Sequence, residues 1–399
     1  MCLISAEGLS DHMDFKLNQE QQLYFDSVRK FARAELADGA ARRAVAKEYP
    51  WDVARKFAEM GLLGITFPEA DGGAGGTLVD AVLAIRAVAE VCPKSGDVIQ
   101  ACTFGPIRTF VEYASPEQKQ RFLPDLLAGK SLISLGMSEP DAGSAVTELA
   151  SSLRPDGDGW RLNGAKIFGT NSVEAGVYLI YARFGPGTSG IGSVLVERGM
   201  EGVTIGTPSE FMNGESWSAL FFDNVYIPKE NVLLGEGGFK KQISGFNVER
   251  LGNSARAVAV GRHAFNLARE HALVRKQFGR PLAEFQGLQW KFADMEMKLT
   301  SAELLLMRAA VNAADNPDGL PSAQETALAK LACNEAGFFA ANEAVQIMGG
   351  LGFSEESTAQ YCLRRTRGWM IAGGSLEILR NRIAEGIFGR RFDQRGAIR

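Results

Sequence analysis

Histidine and cysteine are both scarce in this chain, with three His (His12, His263, His271) and five Cys (Cys2, Cys92, Cys102, Cys333, Cys362) among 399 residues. The histidines are too scattered to gather around a metal. His263 and His271, eight apart on one predicted helix, read as helix-surface or core residues. The cysteines make no CxxC pair and no regular framework, which predicts thiols in a reducing compartment. HExxH, the P-loop signature and GxSxG are all missing, so no zinc protease, phosphate loop or nucleophile elbow can be argued. No run of about 20 apolar residues occurs, which excludes a membrane-spanning helix. Positive charge is not in excess either: 43 Lys+Arg against 47 Asp+Glu leave a net charge of −4. A polybasic nucleic-acid surface would need the opposite balance. The opening MCLISAEGLSDHMDF holds no Arg, carries Glu7 and Asp11, and matches neither a signal nor a transit peptide. The expectation is a soluble cytoplasmic protein with residues 1–12 as an extension.

The residues that are present divide into three stretches. Residues 13–131 read as helical. EQQLYFDSVRKFARAEL places Leu23, Val28, Phe31 and Leu36 at helical spacing, and SPEQKQRF opens with Ser115 as N-cap and Pro116 as first helical residue. Residues 132–235 hold short segments rich in β-branched and aromatic residues, separated by turns such as PDGDG, which predicts a small β-barrel-like domain. Residues 236–399 return to the helical period, with about four long helices in a bundle. In LQWKFADMEMKLTSAELLLM one stripe is Leu288, Phe292, Met295 and Leu299, and a second is Trp290, Met297 and Leu304. A helix apolar on two faces needs partners on two sides, so a subunit interface is expected. The GGAGG at Gly72–Gly76 has no strand before it and reads as an interhelical turn, and GPGTSGIG reads as a hairpin loop.

Five segments in order resemble the acyl-CoA dehydrogenase family of flavoproteins: GMSEPDAGSA, LNGAKIFGTNS, NVERL, RKQFGRPLAEFQGLQ and QIMGGLGF. A sixth, IAGGSLEILRN, falls where that family carries its substrate-facing C-terminal loop. The resemblance implies a mainly α fold with a central β domain between an N-terminal helical domain and a C-terminal four-helix bundle. It also implies FAD. A flavin needs donors around its ring edge, a flat apolar wall and donors for its pyrophosphate. The resemblance assigns the ring edge to Met137 and Ser138, the wall to Phe168 and Thr170, and the pyrophosphate to Ser144. Phe168 stands where the family usually has Trp, keeping an aromatic surface without the indole donor. Ser375 and Glu377 also fall at cofactor positions. Arg275, Gln277 and Gln286, with Gln346, Gly349 and Gly350, match the region that reaches a neighbouring subunit's FAD, which implies a homodimer or homotetramer. Arg275 suits a diphosphate because guanidinium offers paired donors.

α,β-Desaturation of a thioester removes a proton from Cα and a hydride from Cβ, and needs a carboxylate beside Cα with donors at the thioester oxygen. Most of the family takes that Glu from a Tyr-Glu-Gly-Thr loop, but here the matching residues are Ala372, Gly373, Gly374 and Ser375. A minority carries the base in a Glu-Arg pair on a helix of the C-terminal domain, and this chain has Glu249-Arg250 there. Periodicity alone makes Glu249 an ordinary helix-surface carboxylate; the missing loop Glu singles it out. Glycine at 373 widens the pocket for a branched, cyclic or functionalised acyl group, and its N–H can still serve the thioester oxygen. Arg250 is then expected to point away toward the CoA phosphates, with Asn247 lining the CoA channel. An electron-transfer flavoprotein is the implied acceptor. The loop and the QFGRPLAEFQGLQW run also resemble the 3-sulfinopropionyl-CoA desulfinases, which lack both Glu bases. A desulfinase-type lyase, a non-catalytic flavin-binding partner and an enoyl-CoA reductase therefore stay open.

Overall fold

The helices of the first third begin at a polar side-chain cap in three cases and without one in the others. In the computed structural model, which describes residues 16–317 and 319–392, these are α1 (Gln19–Leu36), α2 (Ala40–Val45), α3 (Trp51–Glu59), α4 (Leu78–Ala89), α5 (Gly96–Thr103), α6 (Pro106–Tyr113) and α7 (Pro116–Leu127). The expected extension 1–12, with Cys2 and His12, lies outside the described residues. Asn18 with Gln21, Thr77 with Asp80 and Ser115 with Gln118 form reciprocal caps that satisfy the first free N–H groups of α1, α4 and α7. α1 buries Phe25, Val28, Ala32 and Leu36. Leu23 does not join them: five residues before Val28 it lies about 140° round the helix, and it faces solvent. The GGAGG stretch is the interhelical turn expected, its N–H groups bonding back to carbonyls of 64–69.

The middle stretch forms β1 (Ile133–Gly136), β2 (Ser152–Asp156), β3 (Gly159–Lys166), β4 (Val177–Arg183), β5 (Ile191–Glu197), β6 (Val203–Ile205), β7 (Ser209–Glu210), β8 (Ser216–Trp217), β9 (Leu220–Ile227) and β10 (Val232–Leu234). The main sheet runs β10-β5-β4-β2-β3-β9-β6, with β1 joining β4 in parallel and β7–β8 forming a separate ribbon. β4 and β5 pair antiparallel from Val177↔Glu197 to Arg183↔Ile191, so GPGTSGIG is their hairpin loop. Both strands are buried along almost their whole length, which is why they read as continuous apolar runs rather than alternating ones.

The last stretch holds α8 (Phe239–Val274), a hairpin of β11 (Lys276–Gln277) and β12 (Arg280–Pro281), α9 (Gln286–Val311), α10 (Ala323–Met348), α11 (Gly350–Phe353), α12 (Thr358–Trp369) and α13 (Leu376–Phe388). Three of these are long, at 36, 26 and 26 residues, and in place of the fourth long helix expected stand two short ones, α12 and α13, at 12 and 13, on either side of the 370–375 turn with its two positive-φ glycines. α8 and α10 touch through glycine: a Cβ on Gly337 would sit 2.2 Å from the Ala257 carbonyl oxygen. On α9, Met295 and Leu299 are buried with Leu288 and Phe292 packed beside them, whereas Trp290 (63% exposed), Met297 (59%) and Leu304 (46%) stay uncovered. Of the described helices, none is long and apolar enough to cross a membrane.

A buried charge cluster ties the three stretches together. Asp97 of α5 meets Arg256 of α8 at 2.7 Å and Arg365 of α12 at 3.0 Å, and Arg365 reaches Glu215, between β7 and β8, at 2.7 Å. Both guanidinium groups lie 4.8 Å from the ring of Trp369. Burial would raise the Asp97 carboxyl, but Arg365 and Arg256 outweigh it and hold the group below its ordinary value. His263 is a satisfied core residue between the Glu90 carbonyl (2.8 Å) and Thr358 Oγ1 (2.7 Å), and burial lowers its pKa. Among the described residues no group of His, Cys, Asp and Glu could hold a metal.

Candidate active site

Glu249 is the eleventh residue of α8, half-buried, and the next residue, Arg250, reaches the 372–374 turn. Gln100 Nε2 of α5 donates to its backbone carbonyl at 3.5 Å. Burial is the largest influence on its carboxyl and raises its pKa, with Arg256, Arg250 and Lys330 opposing. Tyr181 of β4 is raised chiefly by its own burial and next by the Glu249 charge. A carboxylate so placed holds a proton more readily than one in water, as a base for a weak carbon acid requires.

Arg250 reaches the 372–374 turn. Its Nε donates to the Gly373 carbonyl at 3.1 Å and its Nη1 to Asn247 Oδ1 at 3.1 Å. A half-buried guanidinium must find acceptors inside, and the turn supplies one. Gly373 and Gly374 have φ of +70° and +95°, a region L side chains enter only under strain. A Cβ on Gly373 would find within 4 Å only Lys330, at 3.7 Å from Cε and 4.0 Å from Nζ. Lys330 is fully buried, and its ammonium donates to the carbonyls of Trp369 (3.2 Å), Ala372 (2.8 Å) and Gly374 (2.8 Å). Burial pushes its pKa down to about 7; Arg250 adds to the push, and Glu249 opposes it. Sequence reasoning missed Lys330, although a signal existed: Thr326, Lys330, Cys333 and Gly337 continue one buried helical stripe, and a lysine in such a stripe must have buried acceptors.

A second group gathers beyond the end of β1. Glu139 is buried, accepts from the N–H groups of Ala150 and Ser151, and pairs with Lys166 at 2.6 Å. Burial would raise Glu139, but Lys166 and the Ala150 N–H hold it low, while burial takes Lys166 down to about 8 against the pull of Glu139. The pair pins the turn, and the N–H groups of Met137 and Ser138 bond to no described residue. Phe168, at φ +57° and 54% exposed, offers its ring beside Trp217 at 4.5 Å. Thr170 is exposed beside it, with its carbonyl held by Ser134 Oγ at 2.7 Å. Ser144 lines a cavity of about 390 Å³ with Ile378, Asn381 and Arg382 of α13. That helix starts at Ser375, whose Oγ caps the Ile378 N–H, and Glu377 is exposed in its first turn. Unpartnered donors, an uncovered aromatic wall and a hydroxyl-lined cavity with a guanidinium are what a flavin dinucleotide requires, so these residues fit one. Trp217 was missed; a Phe in place of the family's Trp at 168 was the cue to look for a second aromatic.

The other expected cofactor residues lie apart. Arg275, Gln277 and Gln286 are exposed around the β11–β12 hairpin, and Gln346, Gly349 and Gly350 are exposed at the end of α10. Among the described residues no hydrogen bond, ion pair or ring contact joins these six to Met137, Ser138, Ser144, Phe168 or Thr170.

Comparison with known proteins covers nearly the whole chain. Sequence models of the acyl-CoA dehydrogenase N-terminal, middle and C-terminal domains match residues 18–130, 134–225 and 236–388. A 3-sulfinopropanoyl-CoA desulfinase of Paraburkholderia xenovorans is 32% identical over 389 residues, covering 96% of this chain and 99% of its own. A short-chain-specific acyl-CoA dehydrogenase of Clostridium acetobutylicum is 32% identical over 381 residues, covering 94% and 100%. The solved structure of a glutaryl-coenzyme A dehydrogenase in complex with glutaryl-CoA superposes with a TM-score of 0.89 at 29% identity, covering 96% of this chain and 98% of that one.

Proposed function

The chain belongs to the acyl-CoA dehydrogenase family, and from that premise we propose that it desaturates a branched, cyclic or functionalised acyl-CoA with Glu249 as the base. It is an oxidoreductase of acyl-CoA thioesters, and its cofactor is FAD, which the family binds. The observation that carries the proposal is the pairing of two features. Position 373 has no side chain, and a carboxylate raised by burial stands on the helix whose next residue grips that turn.

In this reading Glu249 takes the proton from Cα while the Gly373 N–H meets the negative charge that grows on the thioester oxygen. FAD, when bound, supplies the acceptor for the hydride that leaves Cβ. Both C–H bonds break, a C=C bond forms, and the proton rests on Glu249. Arg250 holds the turn through Nε, its guanidinium also serves the CoA phosphates, and Asn247 lines the CoA channel beside it. Met137, Ser138, Phe168, Thr170, Ser144, Ser375 and Glu377 serve one flavin. Arg275, Gln277, Gln286, Gln346, Gly349 and Gly350 serve that of a second copy in a homodimer or homotetramer, a reading supported by their exposure and by the uncovered Trp290, Met297 and Leu304. An electron-transfer flavoprotein takes the electrons onward. The working units are 13–131, 132–235 and 236–399. Free buried thiols at Cys92, Cys102, Cys333 and Cys362 support a reducing, cytoplasmic setting.

Anaerobic titration of the yellow protein with straight, branched, aromatic and dicarboxylic acyl-CoA esters tests this. One class should bleach the flavin, and Glu249→Gln should keep FAD and stay yellow. A desulfinase reading is favoured by Gly373 and by the desulfinase relative, as similar as the dehydrogenase, and disfavoured by the retained Glu249. Sulfite release from 3-sulfinopropanoyl-CoA without any acceptor would establish it.

A further inference from the structure

Three consecutive carbonyls of the turn that follows α12 point at cations. Ala372 and Gly374 are held by the Lys330 ammonium at 2.8 Å each, and Gly373, between them, by Arg250 Nε at 3.1 Å. The ammonium has three protons, and its third goes to Trp369 O at 3.2 Å, so none is left for a ligand. The described chain has no cis peptide bond. In a trans peptide the C=O and N–H point in opposite directions. With the Ala372 oxygen drawn toward Lys330, the Gly373 N–H is turned away from it, and that N–H meets no acceptor among the described residues. The positive φ at Gly373 and Gly374 lets alternate carbonyls face opposite cations, and neither residue has a side chain to hold the turn in place. The orientation of the donor is therefore set from below, by a residue 43 positions away in sequence on a different helix.

We propose that Lys330 is a positioning residue for the reaction: by clamping the carbonyls on either side of Gly373 it fixes the peptide plane that aims the Gly373 N–H at the thioester oxygen. The inference rests on the reading above, in which that N–H is the donor. Misplacing such a donor by about 1 Å costs on the order of 100-fold in rate, so Lys330→Met should lower kcat by roughly that factor with little change in KM. Asn334, one turn further along α10, also donates to Trp369 O, at 2.7 Å, but touches none of the 372–374 carbonyls. Asn334→Ala should lower the melting temperature and leave kcat unchanged, which separates general loosening from aim.

The direct test reads the bond itself. FAD-loaded Glu249→Gln protein is saturated with the acyl-CoA ester that bleaches the parent flavin fastest in the titration above, carrying ¹³C at the carbonyl, and the C=O stretch is followed by difference infrared spectroscopy. The stretch should move to lower frequency on binding, and most of that shift should vanish in Glu249→Gln/Lys330→Met. A full shift in the double variant overturns the role of Lys330 while leaving the donor in place. No shift in Glu249→Gln alone, or no binding, counts against the donor reading itself. Should Lys330→Met fail to fold, Lys330→Gln, which keeps two donors on a shorter stem, should lose an intermediate part of the shift; an undiminished shift there overturns the proposal equally.

Discussion

Moving the base should move the activity with it. Glu249→Gln preserves size and removes the proton acceptor, and a positioned general base contributes about 10²–10⁴-fold, so flavin reduction by substrate should slow by that factor. Adding Gly373→Glu returns a carboxylate to the turn. The space exists, because the new Cβ meets only the Lys330 stem and ammonium at 3.7 and 4.0 Å, which is ordinary contact. The cost is backbone strain: a non-glycine residue at φ +70° costs about 1–3 kcal/mol, partly offset by the nearby ammonium. Even if all of that strain entered the barrier it would reduce the rate by roughly 5–150-fold. Of a 10⁴-fold loss, at least about tenfold should therefore return. Anaerobic stopped-flow of flavin bleaching, on protein with full FAD content, reads both steps. Bleaching by Glu249→Gln within tenfold of the parent would refute the reasoning, as would a folded, FAD-loaded double variant that recovers nothing where the single substitution has cost about 10⁴-fold.

The raised pKa of Glu249 predicts that kcat/KM climbs with pH through a midpoint above 4.5, as the base loses its proton. Its effect on stability has the opposite sign: a carboxyl raised in the folded state contributes stability below pH 4.5 that is lost as pH rises through the folded value. Glu249→Gln should thus raise the melting temperature at neutral pH and change nothing below pH 4.5, which calorimetry at the two pH values checks. Asp97→Asn leaves Arg256 and Arg365 short of a buried partner and should cost about 3–5 kcal/mol in urea unfolding. Because the Asp97 carboxyl is held low when folded, its contribution is present above pH 3.8 and lost as pH falls through the folded value. Gly337→Ala forces a methyl to within 2.2 Å of the Ala257 oxygen and should destabilise by about 1–3 kcal/mol, read from the urea midpoint.

What could be read from the sequence was mostly local. Ser115 and Pro116 announce α7 because capping chemistry acts within one turn, and the two stripes of α9 separate because helical period sorts faces without knowing the partners. The missing carboxylate at 373 and the Glu at 249 are visible in order, since family motifs keep their spacing. The direction of Arg250 was not visible, because it depends on a carbonyl 123 residues away coming within 3.1 Å. The Asp97, Arg256, Arg365 and Glu215 cluster was hidden for the same reason: each charge alone resembles a solvated helix or turn residue, and only packing converts four of them into a buried clasp. Trp217 reaches Phe168 through a two-residue ribbon too short to carry any period.

The central claim, that the carboxylate at 249 strips the α-proton, is tested most directly by hydrogen exchange in heavy water. The acyl-CoA that bleaches the flavin fastest is incubated anaerobically with enzyme, and deuterium at Cα is followed by mass spectrometry. The account predicts rapid incorporation with the parent protein and none above background with FAD-loaded Glu249→Gln. Exchange at the parental rate in that variant would contradict it.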